Sequence, residues 1–444
     1  MHQKITTVFG RKTVKIQETE KQITPFGGLA ILGQFFDRIG LATVCERYMP
    51  FRLTSPNAIP AEQTFIAFLL SVIAGARRFS HANLVRADKA LHQLFGFKRF
   101  PTDDTIRNWL KRFDQAKVNA FFGNLTRWHV GRLLKAHPGP LTLDLDSTVF
   151  ERYGNQEGAT KGYNPRRPGR KSHHPILACL AEIPFILNGW MRPGHASAAW
   201  AAHEFLEASL GLLPEPGRVK LVRADSGFFQ DLFLSYLEKW GLDYIVVARF
   251  TRNIHLELRG VSCWRDLDET YSAASFHRSL CGWTQARRFV VIRELKKPGK
   301  EAAGRMLFEI PEYTFRVFVT NRNQDPEEIW RTYNGRAVIE KRINELKADL
   351  AIDGFCMKHF FATEAAFRSI LCLFNLLVEF QEAIKLPKYC QPATLRMKVF
   401  LCGAALGKRG GRLLLRLSKA WGGLTSRSGY LDNLLTTHPE LLRS

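Results

Sequence analysis

Between residues 141 and 249 the hydrophobic pattern switches period several times, and the order of those switches leaves few architectures open. In LTLDLDSTVF, Leu141, Leu143 and Leu145 fall on one side of an extended chain, and Thr142, Asp144, Asp146 and Thr148 on the other. Carboxylates are disfavoured inside strands, so two in one strand ask for a reason. An edge strand with its polar face in water is the plain alternative. A basic, Gly-containing connection follows, with Lys161, Arg166, Arg167, Arg170 and Lys171, and then two apolar strands, HHPILACLAEI and PFILNGWMRPG. A helix over 198–212 leads into the buried strand of VKLVRADSGFF, residues 219–224, which ends at Asp225. A short helix over 231–240 and a strand over 243–249 complete the run.

Three strands, helix, strand, helix, strand is the order that resembles a ribonuclease-H-like α/β core. In that core the first strand and the fourth lie side by side, which would bring Asp146 and Asp225 together at one end of the sheet. Farther along, YNGRAVIEKRINELK (333–347) reads as one helix with two stripes. Ile339, Ile343, Leu346 and Leu350 form an apolar face. Tyr333, Arg336, Glu340 and Lys347, spaced 3, 4 and 7 apart, share a neighbouring face. On spacing alone this second stripe is also what a solvated helix face with i,i+4 ion pairs looks like.

The pattern Tyr-x2-Arg-x3-Glu-x6-Lys, with DST at 146–148 and ADSGF at 224–228, resembles the catalytic segments of DDE transposases from bacterial insertion sequences. The long insertion before the glutamate is similar to the IS-four-like branch, and ITPFGGLAILGQFFDRIGL with LDLDST resembles its "thirteen-eighty" group. The resemblance implies that Asp146, Asp225 and Glu340 are catalytic metal ligands. It implies supporting or DNA-contacting roles for Tyr333, Arg336 and Lys347. It also implies cut-and-paste transposition through cleavage at terminal inverted repeats and strand transfer, by a homodimer on DNA. The chemistry of the residues agrees. Three desolvated carboxylates repel one another unless a cation sits among them. An all-oxygen set suits Mg²⁺, with Mn²⁺ as substitute, and two such ions can serve in-line attack on a phosphodiester. Asp144 shares the strand face of Asp146; Asp146 is preferred because it precedes the small hydroxyl residues.

Charge points to the same class of partner. Lys and Arg number 64 against 41 Asp and Glu, a net +23, and phosphate neutralisation supplies most non-specific affinity for double-stranded DNA. A membrane is not expected: the best apolar run, 369–378, is about half the roughly 18 residues a span needs. The start MHQKITTVFGRKTVKIQ lacks the apolar core of a signal peptide. Eight scattered cysteines without a CxxC pair read as reduced, mostly buried thiols in a cytoplasmic protein, not as a zinc site, and the resemblance implies a bacterial, nucleoid-associated one. His173 and His174, adjacent on a strand, point opposite ways, and His195 and His203 lack ligand spacing.

The expected division is an all-α DNA-binding region over 1–137, a catalytic core over 138–250 and 315–385, a β-rich insertion over 251–314, and a basic helical region over 386–444. Residues 1–25 read as a short arm. In the first region SHANLVRADKALHQLFG followed by PTDDTIRNWLKRF reads as a helix-turn-helix, capped at Thr102 or Asp103, with Arg107, Asn108, Lys111 and Arg112 exposed. An ordinary bundle helix is the competing reading. The insertion is read from NIHLELRG, ARRFVVIREL and GRMLFEI as short strands. Its Trp283, beside Arg287 and Arg288, is the preferred residue to stack an extruded base, over Trp264; packing within the insertion's own core is the alternative. A long amphipathic helix is expected over 363–384, and 396–421 holds seven Lys or Arg and no acid. A ribonuclease-H-like nuclease or resolvase, or a non-catalytic DNA-binding regulator, are the alternative functions.

Overall fold

The computed structural model describes residues 3–6, 13–295 and 313–436. Nine strands form one mixed sheet: β1 (Leu141–Ser147), β2 (Ile176–Leu180), β3 (Phe185–Trp190), β4 (Val219–Ala224), β5 (Asp243–Val247), β6 (Arg265–Asp266), β7 (Tyr271–Arg278), β8 (Arg287–Leu295) and β9 (Tyr313–Thr320). Their spatial order is β6-β7-β8-β9-β5-β4-β1-β2-β3. β1, β4 and β5 run parallel to one another, and the other pairings are antiparallel. The first and fourth strands are therefore neighbours, as the order of elements leads one to expect. β1 is central, not an edge strand, and Asp144 and Asp146 are both buried.

Helices lie against the sheet and on one another, among them α1 (Ala61–Ile73), α2 (Asp103–Leu110), α3 (Gln115–Ala136), α4 (Ala202–Leu210), α5 (Asp231–Lys239), α6 (Arg252–Gly260), α7 (Pro326–Asn334), α8 (Ala337–Ala348) and α9 (Phe360–Ala383). Leu143 and Leu145 of β1 pack with Phe205 and Leu206 of α4 and Phe233 and Leu237 of α5. The opposite face, through Leu177, Cys179 and Ile186, joins a second core with α1, α3, α8 and α9. That second core also takes in Leu395, Val399 and Phe400, so the N-terminal helices and the segment after α9 share one interior.

Four expectations change. The helix expected over 363–384 is α9, long and apolar enough to cross a membrane, yet buried within the protein nearly all round. It is not amphipathic: its polar groups meet partners inside the core. Asn375 accepts from the Ile186 N–H and donates to its carbonyl, both at 2.9 Å, and Glu379 pairs with Arg132 and with His129 (2.8 Å). The N-terminal region is not all-α. Gln3–Thr6 pairs with Thr13–Ile16, and Gln22–Thr24 joins a sheet with a C-terminal hairpin. That hairpin, Ala404–Arg409 with Arg412–Leu417, stands where helix was expected. Gly410 and Gly411, at φ +55° and +76°, supply its tight turn.

The fourth change concerns the insertion. NIHLELRG is not a strand but lies in α6, capped by Thr251, with Ile254 and Leu258 one turn apart facing inward. ARRFVVIREL is β8, and with β7 it extends the central sheet instead of forming a separate layer. GRMLFEI lies outside the described residues.

Candidate active site

Asp146 and Asp225 are placed by the parallel pairing of β1 with β4. Ala224 stands opposite Leu145, so the two aspartates follow at the adjoining strand ends. Asp146 is buried and its Oδ1 accepts the Ser147 N–H at 2.8 Å. Asp225 caps a turn, accepting the Gly227 N–H at 2.9 Å, and Arg249 donates to the carbonyls of Ser226 (2.9 Å) and Gly227 (3.3 Å). Burial pushes the Asp146 carboxyl up to about 6; the Arg336 charge opposes this, and Asp225 and Glu340 add to it.

Asp144 is taken. Arg223, its register partner on β4, donates Nε to Oδ1 at 2.6 Å and Nη2 to Oδ2 at 2.8 Å. The remaining nitrogen of that guanidinium donates to the Thr332 carbonyl at 2.5 Å. A side chain on Gly335 would meet it, with a Cβ only 2.6 Å from Arg223 Nη1.

At that point the expected single helix breaks. α7 ends at Asn334, Gly335 and Arg336 form the joint, and α8 begins at Ala337. Pro326 opens α7 as its first residue, with Asp325 accepting from the Glu327 N–H at 2.9 Å. Arg336 is buried at the joint, donating to the Leu145 carbonyl at 2.9 Å and lying 3.2 Å from Asp146 Oδ1 and 3.4 Å from Glu340 Oε1. The Glu340 side chain is 67% exposed and sits on the opposite branch of this guanidinium from Asp146. Tyr333 packs on Phe318 with ring centres 4.9 Å apart. Its hydroxyl is pushed up to about 12 by burial, with Arg336 opposing and Asp225, Asp146 and Glu340 adding. Lys347 donates to Thr148 Oγ1 (2.5 Å) and the Val149 carbonyl (3.1 Å), tying α8 to the chain just after Asp146.

The motif residues thus converge around Arg336. Asp146 and Asp225 offer oxygen donors at a buried site whose excess negative charge is offset by one guanidinium, which fits a hard divalent cation. Glu340 does not complete a set of three in this conformation. Among the described residues no three His, Cys, Asp or Glu side chains stand close enough to hold a metal ion. His173 and His174 are engaged elsewhere: Arg152 donates to His173 Nδ1 at 2.9 Å, and His174 Nδ1 lies 2.6 Å from the Ala196 carbonyl. The eight cysteines are free.

A cleft of about 1110 Å³ opens beside Asp225, walled by the chain after β1, the Ser226–Gly227 turn, Arg249 and Lys347. Trp283 is not on it. Its ring is half-buried against Phe229 (5.1 Å) and Phe289 (5.8 Å), under the Arg287 guanidinium (4.9 Å). Arg287 is tied to Asp231 and Glu238, and Arg288 donates to the carbonyls of Arg322 and Gln324. Arg287 is thus engaged on both sides and Arg288 is held through one nitrogen, while Trp283 packs against the core.

The expected helix-turn-helix is likewise altered. The run before α2 splits at Asp88 into Ala82–Ala87 and Lys89–Leu94, because the Asp88 carboxylate accepts the Leu91 N–H and restarts the helix. Thr102 caps α2, which buries Ile106, Trp109 and Leu110. Arg107 pairs with Asp103 at 3.3 Å; Lys111 and Arg112 are exposed, the latter 5.9 Å from the centre of the Phe51 ring. Sequence reasoning overlooked Arg223 and Arg249. A lone arginine inside the apolar strand VKLVRA was the signal for the first, since a buried guanidinium requires an acid partner.

The family model described as transposase DDE domain, group 1, matches residues 6–433. No curated protein matches the chain. Among solved structures, the chain is similar to a piggyBac transposase in a synaptic complex with hairpin DNA. The identity is 10% and the TM-score 0.46, over 96% of this chain and 86% of that one. The family match spans nearly the whole chain, which therefore belongs to the group 1 DDE-domain transposases, enzymes of DNA transposition.

Proposed function

We propose that this transposase mobilises a bacterial insertion sequence, of the IS-four-like branch and its "thirteen-eighty" group, and acts in the cytoplasm on nucleoid DNA. It cuts at terminal inverted repeats and joins the freed ends to a target. Asp146, Asp225 and Glu340 are its acidic residues. The observation that carries this reading is the meeting of Asp146 and Asp225 at adjoining ends of parallel strands, with Arg336 linking Asp146 to Glu340. Glu340 joins the pair by releasing Arg336. The oxygen-only set suits Mg²⁺, or Mn²⁺ in its place, as two ions. Such ions, when bound, make an attacking oxygen more nucleophilic and offset charge on the departing one.

The chain's own residues set the geometry. Lys347 fixes the backbone after Asp146, and Arg249 fixes the turn after Asp225. In the reaction an oxygen of water or of a 3′-hydroxyl bonds to phosphorus while the bond to the leaving 3′-oxygen breaks, and the attacking oxygen's proton passes to solvent. Duplex binding is supported by the net charge of +23. It is also supported by a groove of about 590 Å³ lined by Arg86, Lys89, Lys98, Arg99 and Arg112, with no carboxylate on its wall. Arg107 of α2 and Lys111, just past its end, adjoin the lining residues Asn108 and Arg112 in sequence. A homodimer would hold two DNA ends at once.

With a duplex carrying the element's own terminal repeat and Mg²⁺, Asp146→Asn, Asp225→Asn and Glu340→Gln are each expected to abolish cleavage while gel-shift affinity is unchanged. Cleavage that survives in any one of them removes that residue from the acidic set.

A further inference from the structure

The chain between β1 and β2 builds a small three-stranded sheet from Phe150–Glu151, Thr160–Lys161 and Lys171–His173. Its backbone is firmly held. Thr160 Oγ1 accepts the His195 N–H at 3.0 Å, and a Cβ on Gly162 would lie 1.8 Å from the Gly194 carbonyl oxygen. Yet this fixed segment leaves two aromatic rings in solvent on the wall of the Asp225 cleft, Tyr153 at 74% and Tyr163 at 71% exposure. Large exposed aromatics on a rigid support are informative, since folding ordinarily buries them. The Tyr153 ring is also oriented in advance: Arg167 donates to its hydroxyl at 2.9 Å and the Arg170 guanidinium lies 5.9 Å from its centre. The same cleft presents Arg78, Arg166, Arg249 and Lys347.

Flat apolar faces alternating with cations beside a carboxylate pair match one ligand chemistry: nucleobases that stack and phosphates that pair. A fully paired duplex hides its base faces, so the rings can serve only nucleotides out of the helix. We propose that Tyr153 and Tyr163 form a stacking platform for unpaired nucleotides next to the phosphate that is cut. This rests on the reading of the Asp146–Asp225 end as the active site.

The test uses the full chain in chelator-containing buffer, so that binding is read without cleavage. The probes are a short duplex with a few unpaired nucleotides at one end and its fully paired counterpart. A 2-aminopurine in the unpaired stretch reports stacking. The wild type is expected to prefer the splayed probe by about tenfold, the scale of one stacked base, and to quench its fluorescence. The Tyr153→Ala/Tyr163→Ala variant is expected to lose both the preference and the quenching while keeping its affinity for the paired duplex. The corresponding Phe variants, which keep the rings but free Tyr153 from Arg167, are expected to retain most of the preference and the quenching.

A preference that survives the double Ala variant overturns the proposal, as does a wild type with no preference or Phe variants that fail like Ala. Asp225→Asn separates this question from the active-site reading. If that reading is wrong, Asp225→Asn still cleaves with Mg²⁺, whereas the stacking result is read from binding alone.

Discussion

Arg223 and Asp144 face each other across the β4–β1 pairing and are joined by two parallel hydrogen bonds, of 2.6 and 2.8 Å. This geometry distinguishes the two aspartates of Leu-Asp-Leu-Asp: one is an anchor with both oxygens occupied, the other stands at the strand end. Removing half of a buried pair leaves an uncompensated charge, at a cost of about 3–5 kcal/mol. Asp144→Asn and Arg223→Met are therefore expected to lower the melting temperature strongly, with activity lost through folding. Asp146→Asn should lose activity with no loss of melting temperature. Equal melting temperatures for Asp144→Asn and wild type would show the anchor to be dispensable.

Asp146 also makes stability depend on pH. Its carboxyl titrates at about 6 in the folded protein, against 3.8 ordinarily, chiefly because it is buried. The folded state thus holds this proton to higher pH than the unfolded chain does. Stability contributed by the protonated form is present in full below about 4 and lost as pH rises through 6. Without metal, Asp146→Asn should be more stable than wild type by roughly 1–3 kcal/mol at neutral pH, the difference vanishing near pH 4. Urea denaturation across this range, with chelator present, checks it. A gap that widened toward acid would mean the carboxylate is stabilised by folding.

The sheet was legible because carboxylates inside an alternating strand, and an arginine inside an apolar one, leave few placements once burial is required. What escaped depends on partners distant in sequence. Glu364, Arg368 and Glu379 of α9 look like a polar face, but His129 and Arg132 of α3 receive Glu379 inside the core, and Asn119 of α3 receives Arg368 at its edge. The break at Gly335 has the same origin: a glycine in a helical pattern is tolerated, and only the Arg223 guanidinium from β4 shows why the joint lies there. The C-terminal hairpin did carry a local signal, Gly410-Gly411 between two extended runs, hidden by a basic composition that suits helix as well. The Tyr-Arg-Glu-Lys spacing marked residues that do cluster, but spacing alone did not reveal that Arg336 lies between two of the acids.

The packing of Trp283 favours one of two uses of this side chain. With its ring against Phe229 and Phe289 and beneath Arg287, its replacement by Ala opens a gap in the layer between α5 and β8. For a half-buried ring the expected loss is about 2–3 kcal/mol. Nicking and strand joining, measured per folded molecule, should fall by equal factors or not at all. A selective slowing of joining at unchanged melting temperature would instead put this ring on the DNA.

The basic groove of the N-terminal helices gives a prediction in salt. Arg86, Lys89 and Lys98 are exposed on its wall, and each phosphate they neutralise releases condensed counterions from the duplex. Each contact contributes about 0.9 to the slope of log K against log salt. Replacing all three with Ala should flatten that slope by roughly 2–3 and weaken binding most at low salt, for any duplex sequence alike. Lys239, exposed on α5, serves as the comparison, because it lies on another part of the surface and carries the same charge. A triple variant that loses no more slope than Lys239→Ala would place the duplex elsewhere. A loss confined to the terminal-repeat sequence would mean that these side chains read base edges instead of neutralising phosphates.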